Sequence, residues 1–317
     1  MTAKLIMTVE QMQDRQAWLK LRNNGLGGSD AATVLGVSPW KSALALWAEK
    51  TGQKEPEDLS KNQRVYWGQK NEQNIAEWFM EQTGKRVIRR GMMQSCEHPW
   101  MLASVDREVV GESAGLEIKT AGVDQARQWL EDEMPTAYYL QIQWYLAVTG
   151  WDKWYVAVLI GGNEARWKEV VRNEEQIAEL IKAGEEFWKH VTDRTPPPPD
   201  GSESAGKTLS ILYPGGQASE PVELNAPEIW EALEQFHQHE QAEKAAARAK
   251  EQAKQVLMDA MGNNEIALIK GEKVTWKTQA GRTTVDSKRL KAEEPAVYQK
   301  YIKVGSPMRV FKVAGGK

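Results

Sequence analysis

A chain of 317 residues with 41% hydrophobic and 27% charged side chains is long enough for one or two domains with a substantial core, and has the composition of a soluble globular protein. Its formal net charge of −3 argues against an overall basic nucleic-acid binder, although a local basic run, Lys85, Arg86, Arg89 and Arg90, offers itself to phosphates or to solvent on an edge strand. The single Cys96 excludes a disulfide framework and a four-cysteine iron–sulfur centre.

No run approaches the ~20 apolar residues of a membrane span. MTAKLIMTVEQMQ has no long apolar segment of a signal peptide, so a cytoplasmic protein is expected.

In chain order, residues 8–24 predict an amphipathic helix, followed by short helices to about Thr51 and a polar loop, GQKEPEDLSK. A long helix is expected from about Asn62 to Gln82, with Val65, Ile75, Ala76, Trp78 and Phe79 on its buried side. Strands come next near 86–90, 100–109 and 115–119, then helices near 124–131 and 136–149. Pro135 suits the start of the second of these helices and Thr149-Gly150 its end. Strands near 153–160 and 166–172 and a helix over 173–192 complete a mixed α/β sheet flanked by helices, a domain spanning 1–195.

The stretch 196–219 contains four consecutive prolines followed by polar residues and predicts a stiff, then flexible linker. Within it GSESAGKT, from Gly201 to Thr208, matches the phosphate-binding loop pattern formally, but the strand before it is missing and Pro214 interrupts the segment after it, so no ATP site is expected. Residues 220–317 predict a separate α+β module on a helical stalk. The long helix opens at Pro227 and ends at Gly262. Strands are expected in EIALIK, EKVTWKTQ and MRVFKV, with a short helix before the last. His237 and His239, two apart on a helix, face away from each other and make no metal pair.

The chemistry concentrates in MLASVDREVVGESAGLEIKT. Asp106 closes an apolar run, ten residues intervene, and Glu117 and Lys119 lie on the next apolar run. Alternation along a strand puts Glu117 and Lys119 on one face and Ile118 on the other, and a hairpin brings Asp106 beside them. Two hard carboxylates suit Mg²⁺ or Mn²⁺, and a neighbouring lysine, its pKa lowered by partial burial, suits handling of a water. The same spacing also describes an ordinary solvated strand face.

Glu72 lies one helical turn after Gly68, which leaves room for a backbone or ligand to approach; alone it reads as a surface glutamate. Gln141 sits in the almost wholly apolar AYYLQIQWYLAVTG and needs a partner, either the lysine, a metal-bound water or backbone. Ser29 or Asp30 caps a helix entered through Gly25, Gly27 and Gly28, with Arg22 upstream, which reads either as an anion site or as a plain capped turn. Ser104, two before Asp106, faces the same way on a strand and offers a hydroxyl to a phosphate. Most of the fourteen tryptophans read as core and helix-packing residues, and Trp40, after Pro39, reads either as one of these or as a ring that stacks on a DNA end.

Taken in order, RNNGLGGSDAATVLGVSPW, GQKNEQNIAEWF, LASVDREV, GLEIKT and YLQIQWYLAVTGWDKWYVAVLIGG resemble the YqaJ-type viral recombinases, the phage exonuclease group related to lambda exonuclease within the PD-(D/E)xK nucleases. The resemblance spans about residues 10–195 and implies a restriction-endonuclease-like core that degrades duplex DNA from 5′ ends, feeding a single-strand annealing protein during phage recombination in a bacterial host. It implies that Asp106 and Glu117 bind Mg²⁺ or Mn²⁺ with help from Glu72, that Lys119 assists the water, and that Ser104 and Gln141 line the site. Arg22 and Ser29 match the pocket for a terminal 5′-phosphate, and the family implies a ring-shaped homotrimer. The family's Pro-Asp is Val105-Asp106 here. Two other functions fit the same residues: a structure-specific or restriction-like endonuclease, and an end-binding mediator with an inactive nuclease site.

Overall fold

A computed structural model describes residues 2–129, 133–215, 220–305 and 309–314. The chain divides into two compact units, Met1–Pro214 and Gly215–Lys317. Among the described residues no helix is long and apolar enough to cross a membrane.

The first unit opens with β1 (Ala3–Met7), a strand not expected from the sequence, and α1 (Arg15–Asn23). Asp14 caps α1 by accepting from the backbone N–H groups of Gln16 and Ala17. A 3₁₀ turn, Gly28–Asp30, leads into α2 (Ala31–Val34), and α3 (Ala43–Lys50) comes after it. The long helix α4 (Gln63–Thr83) starts at an Asn62 cap and stops where Gly84 turns left-handed.

The single strand expected over 100–109 is two strands in two sheets. β2 (Val87–Arg89), β3 (Met92–Ser95), β4 (Leu102–Ser104), β5 (Arg107–Val109) and β6 (Ala114–Ala121) succeed one another. β1, β3 and β4 form a three-stranded antiparallel sheet, while β2, β5 and β6 join β7 (Lys153–Ile160) and β8 (Glu164–Val171) in a five-stranded mixed sheet. Val105 and Asp106 are the crossover between the two. The apolar pattern runs through this break because Leu102, Ala103 and Val105 are buried whichever sheet they serve.

A 3₁₀ helix occupies Val123–Trp129 where an α-helix was expected to 131; residues 130–131 lie outside the described residues. α5 (Thr136–Thr149) then makes the crossover between the parallel strands β6 and β7. The two faces of the large sheet bury separate cores. Ile75, Ala76 and Phe79 of α4 pack on Leu116 and Ile118, while Ile142, Trp144 and Leu146 of α5 pack with Trp154, Val156 and Val158. α6 (Glu174–Thr192) covers the α5 layer.

Part of the stretch expected to be a linker is helical. α7 (Glu203–Leu212) starts at a Ser202 cap, buries Ala205 and Thr208, and meets α3 through Ser42 and Ser204. The nucleotide-loop look-alike lies on this helix: Lys207 pairs with Glu203 one turn earlier and Thr208 donates to the Ser204 carbonyl. Serine capping and a buried alanine–threonine stripe outweighed the loop-forming composition there.

The second unit holds α8 (Pro227–Met261), the hairpin β9 (Ile266–Ile269) and β10 (Glu272–Thr275), α9 (Ser287–Glu293) and α10 (Pro295–Tyr301). The third strand expected in MRVFKV does not form over residues 309–314; Met308 lies outside the described residues. Phe311 instead meets Phe236 of α8 edge-on.

One ionic knot ties the first unit together at the β5–β6 turn. Glu112 pairs with Lys85 and Lys153 and accepts from the Tyr155 hydroxyl at 2.9 Å. The bond from Lys85, with those from Tyr155 and Lys153, pulls its carboxyl down to about 2. A folded-state value below the unfolded one stabilises the fold above pH ~4.5, and the gain is lost as pH falls towards ~2. The side chain is about a quarter exposed, so solvent screening limits the effect. Glu112→Gln is expected to lower stability by about 1 kcal/mol at pH 7 in urea denaturation, and the gap to wild type is expected to narrow by pH ~3. A gap that stays constant from pH 7 to pH 3 contradicts the ionic account.

Candidate functional site

The β5–β6 register pairs Arg107 with Leu116 and Glu108 with Gly115, so the next step puts Asp106 across from Glu117. The Asp106 Oδ2 accepts from the Ile118 backbone N–H at 3.0 Å. Ile118 faces α4, as alternation requires, and the Glu117 and Lys119 side chains reach α5 on the other face.

Glu117 is buried, and its Oε1 accepts from Lys119 Nζ at 2.6 Å and from Gln141 Nε2 at 2.7 Å. Gln141 Oε1 in turn accepts from Lys119 Nζ at 3.1 Å. Of the three partners open to the buried amide, the lysine is one that it takes. Gln141 Nε2 also donates to the hydroxyl of Tyr145 at 2.9 Å, a residue that sequence reasoning missed although it lies one turn further along α5.

Burial pushes the Asp106 carboxyl well above the usual range, and the Glu117 charge pushes it further, against Lys119 and the Ile118 N–H. Lys119 shows the reverse balance. Burial works against its charge, but Glu117 and Asp106 together hold it above the ordinary lysine value. The expectation of a depressed lysine is therefore wrong: two carboxylates outweigh desolvation.

Arg22 Nη2 donates to Ser29 Oγ at 2.5 Å, so the predicted pair forms. The guanidinium also lies 5.2 Å from the Trp18 ring centroid. Ser29 caps nothing; Asp30 Oδ2 takes the Gly27 N–H at 3.0 Å. Behind the pair is a cation that sequence reasoning did not find. Lys50, buried, lies 3.3 Å from Asp30 Oδ2 and donates to the Arg22 carbonyl at 3.2 Å. Burial lowers the Lys50 pKa, only partly offset by Asp30. For Asp30, burial is outweighed by Lys50 and Arg22, which hold its carboxyl below the ordinary value.

Two glycines have steric work here. A Cβ on Gly28 would lie 2.5 Å from Tyr145 Cε1 and 3.0 Å from the Gln141 carbonyl oxygen, so the Ser29 turn is pressed against the helix that holds Lys119. A Cβ on Gly25 would lie 2.6 Å from the Trp100 carbonyl oxygen, which places it in strand contact rather than at an anion. Gly68, expected to permit close approach, meets only Thr120 Oγ1 at an ordinary 3.5 Å.

Glu72 reaches the site edge from α4, where Arg107 holds it: Nη1 donates to Glu72 Oε1 at 2.6 Å and to the Asp106 carbonyl at 2.7 Å. The second arm of this buried arginine donates to Gln73 at 3.2 Å. Ser104 ends β4, half-buried, two residues before Asp106.

Among the described residues no group of three or more His, Cys, Asp or Glu side chains is gathered as a ready metal cage. Asp106 and Glu117 nevertheless fit a hard dication. The Glu117 Oε2 is buried without a hydrogen-bond partner, and the two carboxylates repel each other. Two carboxylates with the remaining positions left to water suit Mg²⁺ or Mn²⁺.

The YqaJ-like viral recombinase domain matches residues 17–152, a span that includes Arg22, Ser29, Glu72, Asp106, Glu117, Lys119 and Gln141. The uncharacterized protein YqaJ of Bacillus subtilis (strain 168) is 35% identical over 299 residues, covering 93% of each chain. Among solved structures, similarity extends to an alkaline exonuclease (LHK-Exo) from Laribacter hongkongensis, 17% identical with a TM-score of 0.47, over 56% of this chain and 93% of that one. A phage-related exonuclease from Haemophilus somnus 129PT is 12% identical with a TM-score of 0.40, over 56% of this chain and 99% of that one.

The buried, mutually repelling carboxylates generate a stability prediction. If the folded carboxylate pair is a metal site, Mg²⁺ is expected to raise the melting temperature of the wild type by a few degrees. Asp106→Asn, which keeps an acceptor for the Ile118 N–H, is expected to melt higher than wild type without metal and to lose the Mg²⁺ shift. A wild-type shift retained by the variant contradicts a metal site at this pair.

Proposed function

The chain belongs to the YqaJ-like viral recombinase family, and we propose that it is a metal-dependent deoxyribonuclease degrading linear duplex DNA 5′→3′ to mononucleotides. The observation that carries this reading is the Gly28 contact. It sets the turn that carries Ser29 against Gln141 and Tyr145, which supports reading the Arg22–Ser29 pair as a phosphate site beside the carboxylate–lysine centre. A pocket for a terminal phosphate beside the cutting centre favours removal of nucleotides from an end over internal cutting.

Arg22 offers a charge-assisted donor, and the Ser29 hydroxyl, which accepts from Arg22, keeps its own proton to donate to a phosphate oxygen. Asp106 and Glu117 would hold Mg²⁺ or Mn²⁺, which polarises water and stabilises phosphoryl charge. Lys119, protonated between Glu117 and Gln141, orients the attacking water and offsets negative charge gathering on the phosphate. Gln141 fixes the lysine, and Tyr145 fixes Gln141. The water attacks in line, the 3′ oxygen departs, and a 5′-nucleotide is released. The resemblance extends the proposal to a homotrimeric ring and a single-strand annealing partner.

In Mg²⁺, wild type is expected to digest a linear duplex and leave covalently closed circles intact; nicking of circles favours an endonuclease. Lys119→Ala is expected to lower kcat by at least about a hundredfold. Arg22→Ala is expected to digest 5′-phosphorylated and 5′-hydroxyl ends at equal rates, and a phosphate preference kept by this variant sinks the phosphate-pocket assignment.

A further inference from the structure

An aromatic ladder beside Lys119 has no part in the chemistry described so far. Trp40 lies in the loop between α2 and α3 and is 63% exposed, somewhat more than the other exposed tryptophans, Trp67, Trp167, Trp230 and Trp276. It stacks on Tyr138 with ring centroids 6.4 Å apart and planes at 29°. Tyr138 stacks in turn on the buried Trp129, at 5.7 Å and 27°. The Lys119 ammonium lies 4.7 Å from the centroid of the Tyr138 ring. An open indole backed by two rings is thus fixed next to the proposed catalytic lysine. Packing alone favours burying so large an apolar ring.

The order along α5 gives the ladder a place on a substrate. Tyr138, Gln141 and Tyr145 recur at helical spacing and share one face. Gly28 presses the Arg22–Ser29 turn against the Tyr145 end, Gln141 holds Lys119 and Glu117 in the middle, and Trp40 covers the Tyr138 end. The two ends are about 10 Å apart at 1.5 Å per residue. A strand whose terminal phosphate sits on Arg22 and whose scissile phosphate sits at Lys119 therefore runs on towards Trp40.

We propose that Trp40, backed by Tyr138 and Trp129, is a stacking subsite for a DNA nucleobase, that of the second nucleotide, on the 3′ side of the scissile phosphate. The assignment rests on the nuclease reading. Every base presents a π face, so the subsite tolerates sequence, as degradation of arbitrary DNA requires. Clamping the base beyond the cut keeps the scissile phosphate still against Lys119.

The test measures binding by fluorescence anisotropy with Ca²⁺ as the dication, and digestion in parallel with Mg²⁺. The probe is a fluorescein-labelled duplex with a frayed, 5′-phosphorylated end, either intact or abasic at its second nucleotide. Trp40→Ala is expected to weaken binding of the intact probe about tenfold, and Trp40→Phe to retain most of the affinity. The abasic probe is expected to bind wild type about tenfold more weakly than the intact one, and to bind Trp40→Ala no more weakly than the intact one. Equal abasic losses in wild type and Trp40→Ala overturn the subsite, as does a Trp40→Ala variant that binds the intact probe like wild type. A change in oligomeric state of Trp40→Ala by sedimentation also overturns it, by assigning the ring to an interface between copies. Intact coupling without digestion by wild type sinks the nuclease reading alone; digestion without coupling sinks the subsite alone.

Discussion

Burying Glu117 opposite Asp106 is the costly arrangement around which the first unit is built. An unpaired ion taken from water costs several kcal/mol even after relaxation, and two of the same sign cost more. Lys119 and the Gln141 amide offset the cost at one oxygen of Glu117, and the Ile118 N–H offsets it at Asp106. The second Glu117 oxygen stays orphaned. Each compensating group comes from a different part of the architecture. The lysine needs strand alternation, the N–H needs a ladder broken at Asp106, and the amide needs α5 laid across the parallel pair β6–β7. A packing of the sheet that lost any one of them would leave a buried charge unanswered.

The same periodicities made much of the site legible in the sequence. Alternation along LEIK separates Glu117 and Lys119 from Ile118, and the polar Gln141 stands out in an apolar helix. Those signals are local. Arg107 and Lys50 were missed because their roles arise from contacts far along the chain, Arg107 with Glu72 and Lys50 with Asp30, whereas Tyr145, one turn from Gln141, passes for one more aromatic of an apolar helix. The small sheet of β1, β3 and β4 was hidden because one apolar run serves two sheets and the pattern does not mark where the chain changes partners. In the Pro-rich stretch, composition pointed to a linker while capping and two buried side chains produced α7.

The second unit was legible in outline and silent in purpose. Pro227 starts α8 and Gly262 ends it, as read from the sequence. Its apolar side chains Ile229, Trp230, Leu233 and Val256 remain exposed, so the helix draws its order from propensity and i,i+4 pairs such as Glu240–Lys244 rather than from a packed core.

Glu72 illustrates how a resemblance and a geometry divide the work of assignment. The resemblance makes it a helper of the metal site, and it does lie near enough to add to the charge felt by Asp106. Its carboxylate, however, is already engaged by the buried Arg107, which also grips the Asp106 carbonyl. A cation approaching Glu72 must compete with a guanidinium that is always charged and held by a second donor arm on Gln73. The arginine thus holds Glu72 as a negative neighbour on the α4 side, beside the two carboxylates that face each other across β5 and β6.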